Sequence, residues 1–493
     1  MMANTLTIGG VPEGFDADII LRQMQRDERP LMHIARDDKR LAAFAEAVRF
    51  FAPDMPVIRF PAWDCLPYDR VSPNADISAQ RMATLAGLVH GMPKQFILLT
   101  TLNAAMQRVP ARQVLRDAAF RAEVGRPIDE EALRSFLGRM GFSKAPTVLE
   151  PGDYAIRGGI IDIYPPGDLG PIRLDLFGDI LDGARRFDPV SQRTTETLSE
   201  IELSPVSEVI LDEAAITRFR QNYRSEFGAA RSDDPLYESI SAGQKVQGFE
   251  HWLPFFHARL ESLFDYLPEV CVSFDDQLEP ARLARWEGIE DQYETRKLAM
   301  QAKQRMESVY KPVTPTTLYL DDAAWAASLN GHKVLKLHPL AQASGPGVID
   351  AQGRMGRNFA PERQQETVSL FSALCHHIQK KFTSGPVVLA SYSDGSCERL
   401  SGLVSDEGFG DPVKINTWAQ IGDAGLYVTV WGLEHGFETP DFTVISEQDI
   451  LGNRLYRQRK YNKKIKNPLQ DFSEINVGDL VVHVDHGIGK YTG

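Results

Sequence analysis

From Ile172 to Phe177 the chain alternates without interruption: Ile172, Leu174 and Leu176 are aliphatic, and Arg173, Asp175 and Phe177 stand between them. A period of two puts the first set on one face of a β-strand and the second set on the other. The pattern holds from about Tyr154 to Phe187, as in an antiparallel sheet with one buried and one solvated face. An arginine and an aromatic ring then share the solvated face, the composition of a protein–protein hot spot. Arg157 precedes Gly158–Gly159 on what reads as a neighbouring strand. The same pattern also fits a plain solvated face on which Arg173 pairs with Asp175 or Asp162.

Before this segment the periods differ. Leu31–Ala35, Val57–Phe60 and Phe96–Thr100 are short apolar runs. Asp37 and Asp38 open a stretch with Leu41, Phe44, Ala45, Val48 and Phe51 at helical spacing, with acids at the positive helix start. A helical stretch follows Thr100 and stops at Pro110. Alternating β and α units predict a parallel sheet covered by helices. A helix is expected over Asp129–Met140, capped by Asp129, with Leu133, Phe136 and Leu137 on one side. Further helices are expected near 212–227, 279–309 and 363–381, and strands over Pro386–Ala390 and Leu426–Val430.

At roughly 100–200 residues per domain, 493 residues correspond to several domains. The net charge of -13 argues against a dedicated nucleic-acid binder, so any DNA contact must be local. The basic run Arg454–Lys466 is read as a solvated linker. Cys65, Cys271, Cys375 and Cys397 form no CxxC pair, which argues against a zinc site or a disulfide framework and fits a reducing cytosol. No apolar run approaches the ~18 residues needed to cross a bilayer. The expected location is cytoplasmic, with no membrane partner.

Chemistry is sparse. The phosphate-cradling G-x-x-x-x-G-K-[ST] run is missing, although Gly9, Gly10 and Gly14 sit where a first strand-to-helix loop would carry it. G-x-S-x-G, H-E-x-x-H and G-x-G-x-x-G are also missing. His483 and His486 flank Asp485, but a strand running into a glycine turn points them apart and no third ligand follows. His435 is read as a turn residue. No catalytic residue, cofactor site or metal site is expected.

The stretch Asp153–Thr194, with RGGIIDIYP and FDPVSQR, closely resembles the second domain of UvrB and of the transcription-repair coupling factors. The run Phe60–Leu85, the EHGF at Glu434–Phe437 and the E-x-D-x-LG-x-R pattern at Glu447–Arg454 resemble the coupling factors rather than UvrB. The resemblance implies an α/β multidomain protein. Its parts would be a degenerate P-loop NTPase-like, UvrB-like parallel sheet at 1–115 and 206–340, an inserted α+β UvrA-binding domain at 116–205, an α/β spacer at 341–453, a basic linker at 454–476 and the start of a CarD-like β module at 477–493. It also implies that Arg157, Arg173 and Phe177 contact UvrA, and that the chain is a scaffold of transcription-coupled nucleotide-excision repair. RNA polymerase is the implied second partner. ATP, Mg and double-stranded DNA belong to motor domains of the family that lie beyond this sequence. Residues 477–493 carry only the first strands of the polymerase-binding module, so their apolar face would lack partners, and they are expected to pack poorly and to bind polymerase weakly or not at all. The alternative is a nucleic-acid-binding module related to UvrB.

Overall fold

The computed structural model describes residues 5–452 apart from 168, 230–233, 302–309, 365–368 and 423, together with the backbone of 480–483 and 487–490. Leu31–Ala35 and Ile97–Thr101 are buried at every position. Runs this apolar can lie only inside a sheet covered on both faces. They belong to a seven-stranded sheet whose order is Val348–Asp350, Thr5–Gly9, Val334–Leu337, Cys271–Phe274, Leu31–Ala35, Ile97–Thr101 and Val57–Phe60. Every pairing in it is parallel. Two central strands therefore come from far downstream, and the sheet closes only after the chain has gone out and returned.

Helix starts follow the capping chemistry. Asp37 accepts from the Arg40 amide at 2.8 Å and Asp129 from the Ala132 amide at 2.9 Å, each satisfying an otherwise orphaned N–H. The helix expected to run to Pro110 ends at Ala105 instead. Val109–Pro110 pairs antiparallel with Leu260–Glu261, a two-stranded ribbon where proline's missing donor is tolerated. The expected 363–381 helix is realised as Ala360–Arg363 and Leu370–Lys381.

One face of the parallel sheet packs against the helices Phe15–Asp27 and Asp38–Phe51, and their outer sides enter the same core as residues 415–444. Phe50 stacks on Trp431 at 4.7 Å between ring centroids, and Phe15 on Phe437 at 5.9 Å. The segment read as a spacer is thus joined to the first helices by a shared aromatic core. It carries its own six-stranded sheet, with Val387–Ser391 between two parallel neighbours, Leu426–Val430 and Thr443–Ser446.

The remaining large sheet is an antiparallel meander of Asp153–Arg157, Ile160–Ile163, Ile172–Phe177, Ile180–Phe187 and Thr194–Leu198, in that spatial order, with Ser143–Lys144 added parallel to Asp153–Arg157 at its edge. The helix Glu130–Arg139 covers one face through Leu133, Phe136 and Leu137. Considered by itself, the segment after Ile450 contains an antiparallel pair, Leu480–His483 with Gly487–Lys490. The Arg454–Lys466 run, the His483 side chain and His486 lie outside the described residues.

Candidate protein-docking site

The meander's two faces separate as the alternation predicts. Ile156, Ile161, Ile163, Ile172, Leu174, Leu176 and Leu181 enter the core under the helix. The opposite parity places Arg157, Ile160, Asp162, Arg173, Asp175 and Phe177 on the outer face. In register, Arg157 pairs with Ile160 and Ile160 with Asp175; one row away, Ala155, Asp162, Arg173 and Arg185 line up. Arg157 therefore lies two strands from Arg173, not on the adjacent one, and the Ile160–Ile163 strand separates them. Asp182 is an extra residue: Gly183 opposes Asp175 while Leu181 opposes Leu176. This bulge resets the parity, so Leu181 turns inward and Ile180 outward beside Phe177.

Two tight turns end the sheet on the same side. Arg157-Gly158-Gly159-Ile160 and Phe177-Gly178-Asp179-Ile180 share the form x-Gly-x-Ile. Gly158 has φ 61 and Gly178 φ 65, the positive value that a two-residue hairpin demands at its first turn position. A Cβ on Gly159 would sit 2.8 Å from the Leu176 carbonyl oxygen. At these tips Phe177 is 79% exposed, with Ile160 at 39% and Ile180 at 40% beside it. A large ring held this far out of a packed sheet contributes almost nothing to folding and has its apolar area available for a partner.

The arginines differ. Arg157 is exposed, and its Nη2 donates to the Pro146 carbonyl at 2.6 Å. Arg173 is half-buried and donates from Nε and Nη2 to both carboxylate oxygens of Asp162, at 2.7 and 2.9 Å. Nη2 also donates to Gln192 Oε1 at 3.2 Å, and the guanidinium lies 4.6 Å from the Phe187 ring centroid. The hydrogen bonds to Asp162 raise the guanidinium's pKa above its ordinary value. Of the two carboxylates available to Arg173, the structure selects Asp162; Asp175 pairs with Arg185. Exposed ring and paired arginine thus coexist on one face. Strand alternation alone does not mark Ile160 and Ile180, although the repeated x-Gly-x-Ile is visible in the sequence.

A second arginine node lies at the carboxyl ends of the parallel strands, beside the Gly9–Gly14 loop. Arg40 is 7% exposed. Its Nη2 is 2.6 Å from Asp16, its Nε 3.0 Å from Asp275 and its Nη1 3.1 Å from Glu13. A cavity of about 170 Å³ lined by these residues, Glu434 and His435 adjoins it. Burial pushes the Glu13 and Asp275 carboxyls above their ordinary range, against the pull of Arg40. Carboxylates outnumber guanidinium groups here, the wrong sign for holding phosphates. His435 bonds Asp449 through Nδ1 at 3.0 Å, which ties down its turn. Among the described residues no His/Cys/Asp/Glu cluster could hold a metal ion, and no helix is long and apolar enough to cross a membrane.

Residues 120–208, which hold this half-covered sheet, match the family described as the UvrB interaction domain. Over 97% of its length the chain is similar to the amino-terminal part of transcription-repair-coupling factors. It is 30% identical over 489 residues to that of Escherichia coli, 29% over 501 residues to that of Haemophilus influenzae and 30% over 499 residues to that of Myxococcus xanthus. These alignments cover 97%, 99% and 94% of the chain, and 41%, 42% and 40% of the respective relatives. The chain thus spans about two-fifths of the length of the curated relatives it matches.

Proposed function

We propose that this chain is a docking scaffold of transcription-coupled nucleotide-excision repair, and that Arg157, Arg173 and Phe177 form the face that engages UvrA. One observation carries the reading: Phe177 projects, 79% exposed, from a tight hairpin tip on the sheet face that also carries Arg157 and Arg173. Aromatic and arginine anchors on a preorganised surface dominate binding energy in protein interfaces. The test is titration of UvrA against the whole chain. Phe177→Ala and Arg173→Ala should each weaken binding by about 2 kcal/mol, roughly 30-fold in Kd. Unchanged affinity in both variants would remove the site.

In this reading the chain itself catalyses nothing. The strand-to-helix loop at Gly9–Gly14 lacks the lysine of a phosphate loop, and the acids around Arg40 repel polyphosphate, so the first sheet is a degenerate nucleotide-binding fold without ATP or Mg. The division into UvrB-like halves at 1–115 and 206–340 around a 116–205 docking domain is part of the same proposal. So are the 341–453 module, the CarD-like assignment of 477–493, a contact with RNA polymerase and action in the cytoplasm. ATP-driven translocation on double-stranded DNA belongs to the whole coupling factor.

A further inference from the structure

The geometry points to Asp162 as a positioning residue that presets Arg173 for its partner, a role that rests on the docking reading above. Asp162 is 2% exposed, yet both its carboxylate oxygens are spent on one arginine. Burying a carboxylate is costly, and an ion pair often returns less stability than well-packed apolar residues of the same volume. Fold stability alone therefore gives a weak reason for a buried acid in the middle of this outer face. Orientation gives a better one.

Arg173 is restrained on three sides. Asp162 grips Nε and Nη2, Gln192 Oε1 accepts from Nη2, and the Phe187 ring lies under the guanidinium. A guanidinium has five N–H donors. Three of these are engaged by Asp162 and Gln192 or lie on the same nitrogen, and the two on Nη1 have no partner among the described residues. The side chain is 25% exposed. The planar fork is thus fixed in one pose with a pair of donors left over for carbonyl or carboxylate oxygens of the docked surface. A free arginine would lose its rotamer freedom on binding; this one has lost it on folding. Asp162 does not touch the partner in this arrangement, since Arg173 stands between them.

The experiment is a double-mutant cycle on the whole chain, read as UvrA affinity, with Phe177→Ala as reference. Asp162→Asn keeps the side chain's size but removes the charge. It should weaken binding roughly five-fold, the worth of one immobilised rotamer-rich side chain, and should have no further effect once Arg173→Ala is present. Gln192→Ala, which leaves the buried pair in place, should weaken binding about two-fold in the parent and not at all beside Arg173→Ala. It carries the test if Asp162→Asn does not fold. An Asp162→Asn effect that persists beside Arg173→Ala overturns the positioning role, because a purely structural contribution does not depend on the arginine. No Asp162→Asn effect, while Phe177→Ala and Arg173→Ala do weaken binding, overturns it and leaves the docking face intact. If those two variants bind normally, the docking face falls and the positioning role with it.

Discussion

Arg40 and Arg173 do opposite things with the same side chain. Arg40 is ringed by Asp16, Asp275 and Glu13 and retains little exposure; Arg173 meets one buried carboxylate and keeps an open side. Burial and the count of carboxylates, not residue type, decide whether an arginine is a lock or a handle. A buried guanidinium ringed by carboxylates has little to offer a ligand, and one restrained by Asp162, Gln192 and the Phe187 ring but open on its remaining side is oriented without being used up.

The comparison breaks most easily at Arg40. Arg40→Ala leaves Asp16 buried without a counter-charge and Asp275 with only the more distant Arg36, at 4.0 Å, and should cost about 3–5 kcal/mol of stability, read by urea unfolding at neutral pH. The deficit should shrink in acid. Carboxylates stripped of their cation have raised folded-state pKa values, and the penalty of keeping them charged is relieved as pH falls through those values. A loss below about 1 kcal/mol would mean that the node is ornamental. Phe177→Ala should reverse the balance: it removes about 2 kcal/mol of UvrA affinity but changes stability by less than about 0.5 kcal/mol. A large drop in melting temperature would show the ring to be part of the core.

Glu438 extends the comparison to a carboxylate. Burial pushes it up, but His377, 3.5 Å away, and the closer Lys381 and Arg354, each at 2.6 Å, outweigh that and hold it at about 2. Its folded pKa lies below the ordinary 4.5. Its stabilisation is therefore fully present above that ordinary value and is lost as pH falls toward 2. Melting curves from pH 6 downward should show Glu438→Gln losing less stability in acid than the parent; parallel curves would remove the assignment. The smallest expected effect is none. Millimolar ATP with magnesium should leave the melting temperature unchanged, because only a ligand bound by the folded state raises it. A rise of several degrees would return a nucleotide to the Gly9–Gly14 loop.

Some of this was readable from the chain alone. The alternation around Arg173 and Phe177 assigned both to the solvated face, because a strand's period is local. Asp37 and Asp129 announced helix starts for the same reason: a cap bonds an amide three residues on.

What needed the tertiary structure was everything set by contacts between distant segments. Period two names a face but not the register, so it left Asp162 and Asp175 as equal partners for Arg173. Only the pairing of Ile160–Ile163 with Ile172–Phe177 chose between them. The bulge at Asp182, which brings Ile180 out beside Phe177, leaves no mark on the alternation of the neighbouring strand. Arg40 sits in a helix where its spacing reads as ordinary surface, and it is buried because acids from positions 13, 16 and 275 converge on it. Local periodicity records what each residue does to its own strand or helix. Charge pairing and burial depend on which segments the fold brings together, and that information is spread over hundreds of residues.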